Sequence, residues 1–342
     1  MSLFPIQKKD DHFSIAWYNS KDLTRSSIIP FHKPMKKIRQ WFTPLAILAA
    51  TNLAWVPPSI ANEDYPTASV DYFQGRESIP LTIESPEFEQ SPQDNFGNYG
   101  SPIYQGGCPA TLDPIIHRII GANSLNRWGI LVQTLQGGQL IYSHNADRSF
   151  IPASNNKIFT TAAALQRLSP NTMIGKVSLQ DWIMVTNKRS HNGYADRLMK
   201  YIGGTGAAKA ALAQLGVNPQ SFRLADGSGL SRANTATPRA LVETLTAMYS
   251  SPGNELFVAS LPVAGINGTL GRRMRQTPAE GIVYAKTGTL TGVRALSGYI
   301  NHPTYGVLVF SLLVNDSSKP GATLVKQIDQ VVLQLSMMNQ CN

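Results

Sequence analysis

The chain has 342 residues, 42% hydrophobic and 15% charged, with a formal net charge of +9. That apolar content can fill a sizeable core, in one large domain or two smaller ones. The charge is uneven: residues 1–61 carry 8 Lys/Arg against 3 Asp/Glu, residues 62–107 carry 1 against 8, and the remainder carries 21 against 10. No zinc-finger spacing, RNP-like run or basic helix accompanies the positive balance, which argues against a nucleic-acid partner. An anionic wall polymer or an anionic peptide substrate fits the balance equally well.

Residues 1–34 are polar and patternless and read as an unassigned N-terminal extension. Met35-Lys36-Lys37-Ile38-Arg39 then opens a basic segment, Trp41 to Val56 is mostly apolar, and Ser59-Ile60-Ala61 supplies small residues. This layout predicts a secretory signal over 35–61, a mature chain starting near Asn62, and a periplasmic or other extracytoplasmic location in the cell envelope. An uncleaved anchor is the competing reading, but about 15 apolar residues interrupted by Pro44, Thr51 and Asn52 fall short of a membrane span. Residues 62–107 shift to Pro, Gln, Ser, Gly and acids; with few aliphatics to offset ordering entropy, they read as a disordered linker.

Folding is expected from Cys108 onward. Thr111-Leu112-Asp113-Pro114, the isoleucines up to Ile120 and Gly121 carry the cap, early proline and terminal glycine of a short helix. Arg127 to Leu135 and Leu140 to His144 read as strands flanking a tight turn at Gln136-Gly137-Gly138-Gln139. Ala153 to Thr161 reads as the first turn of a helix that ends at Ser169-Pro170. The signal weakens until Ser190, after which Tyr194 to Ile202, Gly206 to Leu215 and a helix capped by Thr237 and started by Pro238 are expected. Val283 to Thr289, Arg294 to Ile300 and Val307 to Val314 read as consecutive antiparallel strands, and Gly321 to Met338 as a closing helix. The simplest architecture is of the α/β (α+β) class: one antiparallel sheet built from both chain ends, flanked by terminal helices, beside a helical subdomain.

Three short motifs carry chemistry. Ser154 and Lys157, one helical turn apart, place an amine within reach of a hydroxyl that attacks a carbonyl only when a base takes its proton. Taken alone the pair is weak, since a chain of this composition holds roughly one Ser-x-x-Lys by chance. Lys286-Thr287-Gly288, with Thr289 following, is stronger, at about 0.07 triplets by chance. There a strand glycine suggests close approach of another backbone, and a lysine with two threonines could hold a carboxylate. A solvated lysine on an ordinary edge strand is the alternative. Ser-x-Asn occurs five times; position favours Ser190-His191-Asn192, although such a triplet is also a simple N-cap. A Ser-His-Asp reading of His191 finds no triad spacing among the six histidines, and no paired His or Cys ligands suggest a metal or other cofactor.

Taken in order, Ser154-x-x-Lys157, Ser190-x-Asn192 and Lys286-Thr287-Gly288 resemble the three signatures of penicillin-binding proteins and serine β-lactamases. Three longer stretches are similar to the penicillin-binding protein 4 family, the class C, low-molecular-mass D-alanyl-D-alanine carboxypeptidase/endopeptidases. These are Leu224 to Arg232, Leu261 to Gly265 with Gly268-Thr269-Leu270, and Ala285 to Val293. The similarity covers essentially Cys108 to the C-terminus, residues 108–342, and implies the serine β-lactamase/DD-peptidase-like fold. It further implies peptidoglycan stem peptides as substrates, β-lactams as acylating mimics and no cofactor. Ser154 would be the nucleophile, Lys157 its base and Ser190 a proton relay. Asn192, Lys286, Thr287, Gly288 and Thr289 would line the substrate site, with the backbone N–H groups of Ser154 and Thr289 as oxyanion hole.

Members of that family usually carry a long insertion, folded as two extra domains, between the nucleophile helix and Ser-x-Asn. Here 32 residues separate Lys157 from Ser190, so a join is expected near Asn171 to Lys176. Gly193 stands where the family tends to have a larger apolar residue. Two rival readings follow. One is a β-lactamase, for which Glu243, Glu255 and Glu280 offer no recognisable deacylation motif; the other is a catalytically impaired penicillin-binding or wall-associated structural protein. Cys108 and Cys341, the only cysteines, are a candidate disulfide in an exported protein, and two free thiols are the alternative. The implied packing of the terminal helices would let such a bond tie both ends of the domain.

Overall fold

A computed structural model describes residues 107–341. The extension, the signal and all but the last residue of the linker lie outside the described residues. Helix α1 (Leu112–Ile120) buries Leu112, Ile116 and Ile120, spaced four apart on one face, and stops at Gly121 with φ +85°. Thr111 does not cap it as expected; its hydroxyl donates instead to the Cys108 carbonyl at 3.0 Å. Strands β1 (Trp128–Thr134) and β2 (Leu140–His144) follow, joined by a turn in which Gly137 and Gly138 both hold positive φ.

A 3-10 turn over Ala153–Asn155 leads directly into α2 (Asn156–Arg167). Next come β3 (Met173–Ile174), β4 (Val177–Ser178), α3 (Leu179–Lys188), α4 (Asn192–Tyr201), α5 (Gly204–Gln214), β5 (Phe222–Arg223), β6 (Thr235–Ala236), α6 (Pro238–Ser250) and α7 (Asn254–Ser260). Thr237 caps α6 as expected, accepting from the Ala240 N–H at 3.0 Å. The chain closes with β7 (Val283–Leu290), β8 (Val293–His302), β9 (Gly306–Asn315) and α8 (Gly321–Ser336).

The main sheet is antiparallel throughout, in the order β2-β1-β9-β8-β7, so strands from both ends of the described chain meet at β1 and β9. Both faces are covered. Ile116 and Ile120 of α1 and Ile328 and Val332 of α8 pack with Ile130, Val132, Leu296 and Phe310 on one face. On the other, Leu131, Ala295, Tyr299, Val309 and Leu313 meet α2, α6 and the helices beyond them. Burial from both sides is why Val307 to Val314 reads as a nearly unbroken apolar run. Cys108 and Cys341 are disulfide-bonded, with Cα atoms 5.0 Å apart, joining the chain just before α1 to the chain just after α8.

Where the join was expected, the chain makes a two-residue hairpin. Met173 pairs with Ser178 and Ile174 with Val177, and Gly175, at φ +66°, supplies the first turn position. Helix α3, in a stretch where the sequence carries only a weak signal, starts at once from Ser178, whose hydroxyl accepts from the Asp181 N–H at 3.2 Å. It buries Leu179, Trp182, Ile183, Thr186 and Asn187. The seven-residue α7 is a further helix beyond those expected from the sequence.

Candidate active site

Ser154 sits in the 3-10 turn rather than in α2 itself, but the three-residue spacing still stacks it under Lys157, whose Nζ lies 2.9 Å from the Ser154 Oγ. The turn is held in a demanding shape. Ala153, immediately before the serine, has φ +48°, a left-handed conformation that a residue with a Cβ keeps only when its surroundings enforce it. Asn155 pins the turn to the sheet: its Nδ2 donates to Ser297 Oγ at 2.7 Å, and that hydroxyl donates to Ser311 Oγ at 2.9 Å. Gly229 closes over the other side, where a Cβ would meet the Ala153 carbonyl oxygen at 1.9 Å.

Lys157 is fully buried, and its amine has three partners. Besides Ser154 it donates to Asn192 Oδ1 at 2.8 Å and to the Ser228 carbonyl at 2.6 Å. An amide oxygen and a carbonyl can only accept. A neutral amine has two protons to give and one lone pair, so both protons go to those oxygens and the lone pair faces the Ser154 hydroxyl. Burial favours that form, pulling the Lys157 pKa down to about 8 against the opposing charges of Asp196 and Asp226. The Ser228 carbonyl is placed by Asp196, whose Oδ1 accepts from the N–H groups of Gly227 (3.0 Å) and Ser228 (2.8 Å). Asp226 folds the same loop, accepting from Gly229 and Ser231.

A cavity of about 350 Å³ opens beside Ser154, with Ser190, Thr269, Arg273, Thr287 and Thr289 in its wall. The sequence-derived residues therefore converge, with two differences. Ser190 lines the cavity at φ +56°, but its hydroxyl bonds to neither lysine among the described residues. Lys286, expected to meet a carboxylate, is fully buried and is not in the cavity wall. Its Nζ lies 3.1 Å from the Thr287 carbonyl, and burial, with the Lys157 charge nearby, holds its pKa well below the usual lysine range. Gly288 fulfils the close approach expected of it: a Cβ there would stand 2.7 Å from the Pro152 carbonyl oxygen, so its absence lets β7 lie against the nucleophile turn. Gly193 leaves open space at the start of α4, with only the His191 ring within 4 Å.

β7 is the edge of the sheet, and half of that edge is already used. Ala264 N–H donates to the Val283 carbonyl and Ala285 N–H to the Pro262 carbonyl, both at 2.9 Å. Strand alternation then turns the backbone groups of Thr287 and Thr289 toward the same, uncovered side, next to Ser154. Thr269, from the loop after Pro262, reaches Thr287, with their hydroxyl oxygens 2.7 Å apart. His191 is exposed and caps α4, its Nδ1 accepting from the Tyr194 N–H. Neither Thr269 nor Arg273 was singled out as a site residue from the sequence, although Thr269 lies in one of the stretches similar to the penicillin-binding protein 4 family.

The D-Ala-D-Ala carboxypeptidase 3 (S13) family matches residues 112–181 and 176–335. The chain belongs to this family. The two S13 matches meet at 176–181, at the turn and second strand of the β3–β4 hairpin and the start of α3. Among S13 relatives, a D-alanyl-D-alanine carboxypeptidase of Actinomadura sp. is 42% identical over 165 residues, 44% of this chain and 30% of that protein. The penicillin-sensitive carboxypeptidase A of Dictyostelium discoideum is 32% identical over 177 residues, 46% of this chain and 34% of that protein. The chain thus spans about a third of the length of the curated relatives it matches. The crystal structure of penicillin binding protein 4 from Haemophilus influenzae superposes with a TM-score of 0.58 at 14% identity, covering 66% of this chain and 99% of that one. At that identity it speaks for the fold, which is that of the serine β-lactamase/DD-peptidase superfamily.

Proposed function

We propose that this S13 protein is a serine-type D-Ala-D-Ala carboxypeptidase/endopeptidase that acts on peptidoglycan stem peptides through an acyl-enzyme on Ser154, and that β-lactams acylate the same serine. The observation that carries this reading is the hydrogen-bond pattern at Lys157, in which two obligate acceptors leave the lone pair of the neutral amine to the Ser154 hydroxyl. Ser154 attacks the carbonyl of the penultimate D-Ala and Lys157 takes its proton. Ser190, which also lines the cavity, passes that proton from Lys157 to the leaving amine. The Ser154 and Thr289 N–H groups face the developing oxyanion, Asn192 holds the substrate amide, and a peptide laid along β7 pairs with its uncovered edge. Water then releases the acyl group. A peptidoglycan substrate and the signal-like segment at 35–61 together support the reading of a location outside the cytoplasmic membrane.

The β-lactamase alternative needs a base to activate the deacylating water. Among the described residues the cavity wall holds no carboxylate, and Asp196 and Asp226 are engaged with backbone N–H groups. Slow deacylation of penicillin is the outcome this favours.

The test is incubation of the purified protein with a fluorescent penicillin and, separately, with a peptide ending in D-Ala-D-Ala. Stable label that disappears in Ser154→Ala, together with D-Ala release, is expected. Rapid turnover of the antibiotic would instead make it a lactamase. Absence of both label and release would leave only a wall-associated structural role.

A further inference from the structure

We infer that a second cavity, between α7 and the β7–β8 part of the sheet, binds a primary ammonium group carried on an aliphatic stem. This site is separate from the one at Ser154 and does not rest on the acyl-enzyme reading.

The cavity has a volume of about 310 Å³, close to that of the cavity beside Ser154, and the two share no lining residue. The sheet supplies one side: Tyr284 on β7 and Tyr299 on β8 are register partners, and Asn301 follows two residues on, on the same face as Tyr299. Helix α7 supplies another, where Glu255, Val258 and Ala259 are spaced three and four residues apart and so share a face. Tyr249, near the end of α6, adds a third ring, its centroid 5.4 Å from that of Tyr299 at an interplanar angle of 61°. These groups are held before any ligand arrives. The Tyr299 hydroxyl donates to the Leu245 carbonyl at 2.7 Å, Asn254 Nδ2 to the Tyr249 carbonyl at 3.1 Å, and the Asn301 N–H to the Ile282 carbonyl at 2.9 Å.

Charge decides what the cavity takes. Among the described residues its wall holds no Lys, Arg or His, and its single charged group is Glu255. That carboxylate stands apart in the domain. Of the ten Asp and Glu side chains at described positions, nine are hydrogen-bonded or ion-paired, whereas Glu255 has no such partner among the described residues. An anion is thereby repelled, and a cation meets an uncompensated charge. The rings favour the same ligand, because the face of a tyrosine carries the negative part of its quadrupole and attracts an ammonium within about 6 Å of the centroid. A primary ammonium also has three protons to donate. The Glu255 carboxylate and the side-chain oxygens of Asn254 and Asn301 can accept them, and Val258 and Ala259 give the stem an apolar surface. Tyr284 lies three residues before Thr287 on β7, roughly 10 Å along the strand, so an occupant here leaves the Ser154 cavity open.

The experiment is calorimetric titration of the purified protein with pentylammonium and with its uncharged counterpart 1-pentanol at low salt. The amine is expected to bind at least about fivefold tighter than the alcohol, with the difference shrinking as salt is raised. Glu255→Gln, a change at an exposed position, should weaken amine binding about fivefold and leave the alcohol unchanged. Tyr284→Leu should weaken it about fivefold as well, whereas Tyr284→Phe, which keeps the ring, should stay within about twofold of the wild type. If Tyr284→Leu does not fold, Glu255→Gln and Tyr284→Phe carry the test. An amine that binds no tighter than the alcohol, or amine binding that Glu255→Gln leaves unchanged, overturns the inference. So does binding of the disaccharide N,N'-diacetylchitobiose without binding of the amine, which would make the cavity a saccharide site.

Discussion

Gly288 on β7 and Pro152, two residues before the nucleophile, are in backbone contact: a Cβ on the glycine would lie 2.7 Å from the Pro152 carbonyl oxygen and 2.9 Å from the Ala295 Cβ. Neither neighbour is the end of a flexible side chain, so a methyl group must move the strand or the turn. Gly288→Ala is therefore expected to slow penicillin acylation at least about tenfold while costing about 1–3 kcal/mol of stability. Labelling time courses and thermal melts separate the two effects. A variant that labels at the wild-type rate would show that the strand-to-turn distance does not govern the site.

The Lys157 amine, with its pKa pulled down to about 8, should impose an acid limb on the reaction. Its neutral fraction rises about tenfold per pH unit below that value, so the acylation rate should climb from pH 6 to 8 and then level off. Stability has its own sign. The unfolded chain keeps this proton up to about pH 10.5, so between about 8 and 10 the unfolded state binds more protons and stability rises with pH. Lys188, also near 8, and Lys286 act in the same sense. Tyr142 and Tyr299, held above their usual range, oppose it above about pH 10. Melting temperatures at pH 7, 8, 9 and 10 test the sign, and a monotonic fall would contradict it.

Asp196 offers a finer test, because it both supports the charged form of Lys157 and positions the Ser228 carbonyl through one oxygen. Asp196→Asn retains an oxygen acceptor and removes the charge. The acid limb should move to lower pH, by up to about one unit. A limb that stays fixed would argue that another group supplies the base.

Cys108 and Cys341 close a loop with a sequence separation of 233. Chain-entropy arguments assign long loops the larger stabilisation, typically about 2–4 kcal/mol. Reduction, or replacement of both cysteines by serine, should lower the melting temperature by about 5–10 °C. Penicillin labelling at 25 °C should persist, since the bond lies at the ends of α1 and α8, away from Ser154. Loss of label without loss of structure would mean that the α1–α8 layer controls the site.

Elements with a strong period were legible in the sequence: β7, β8 and β9 as alternating or continuous β patterns, α2 and α8 as long helices, and α6 through its Thr237-Pro238 start. Helix α3 was not, because its buried face includes Thr186 and Asn187, which read as polar. The Ser178 cap with Asp181 three residues on was the available signal. Helix α7 spans seven residues, too few to establish a period. At the site, Ser154, Lys157 and Asn192 carried side-chain marks, whereas the Ser228 carbonyl that completes the lysine's shell carries none. Arg273 was hidden differently. Within Gly271-Arg272-Arg273-Met274-Arg275 it reads as one of several solvated charges, and only the packing of its loop against α8 singles it out.

The β3–β4 hairpin has one more implication. Paired antiparallel residues such as Ile174 and Val177 have Cα atoms about 5 Å apart, so the chain leaves and re-enters the body of the domain at nearly the same place. That makes the Gly175–Lys176 turn a socket: a foreign domain whose own termini lie close together could be spliced there without redirecting α2 or α3. Such a chimera should keep its penicillin label and melt within a few degrees of the parent.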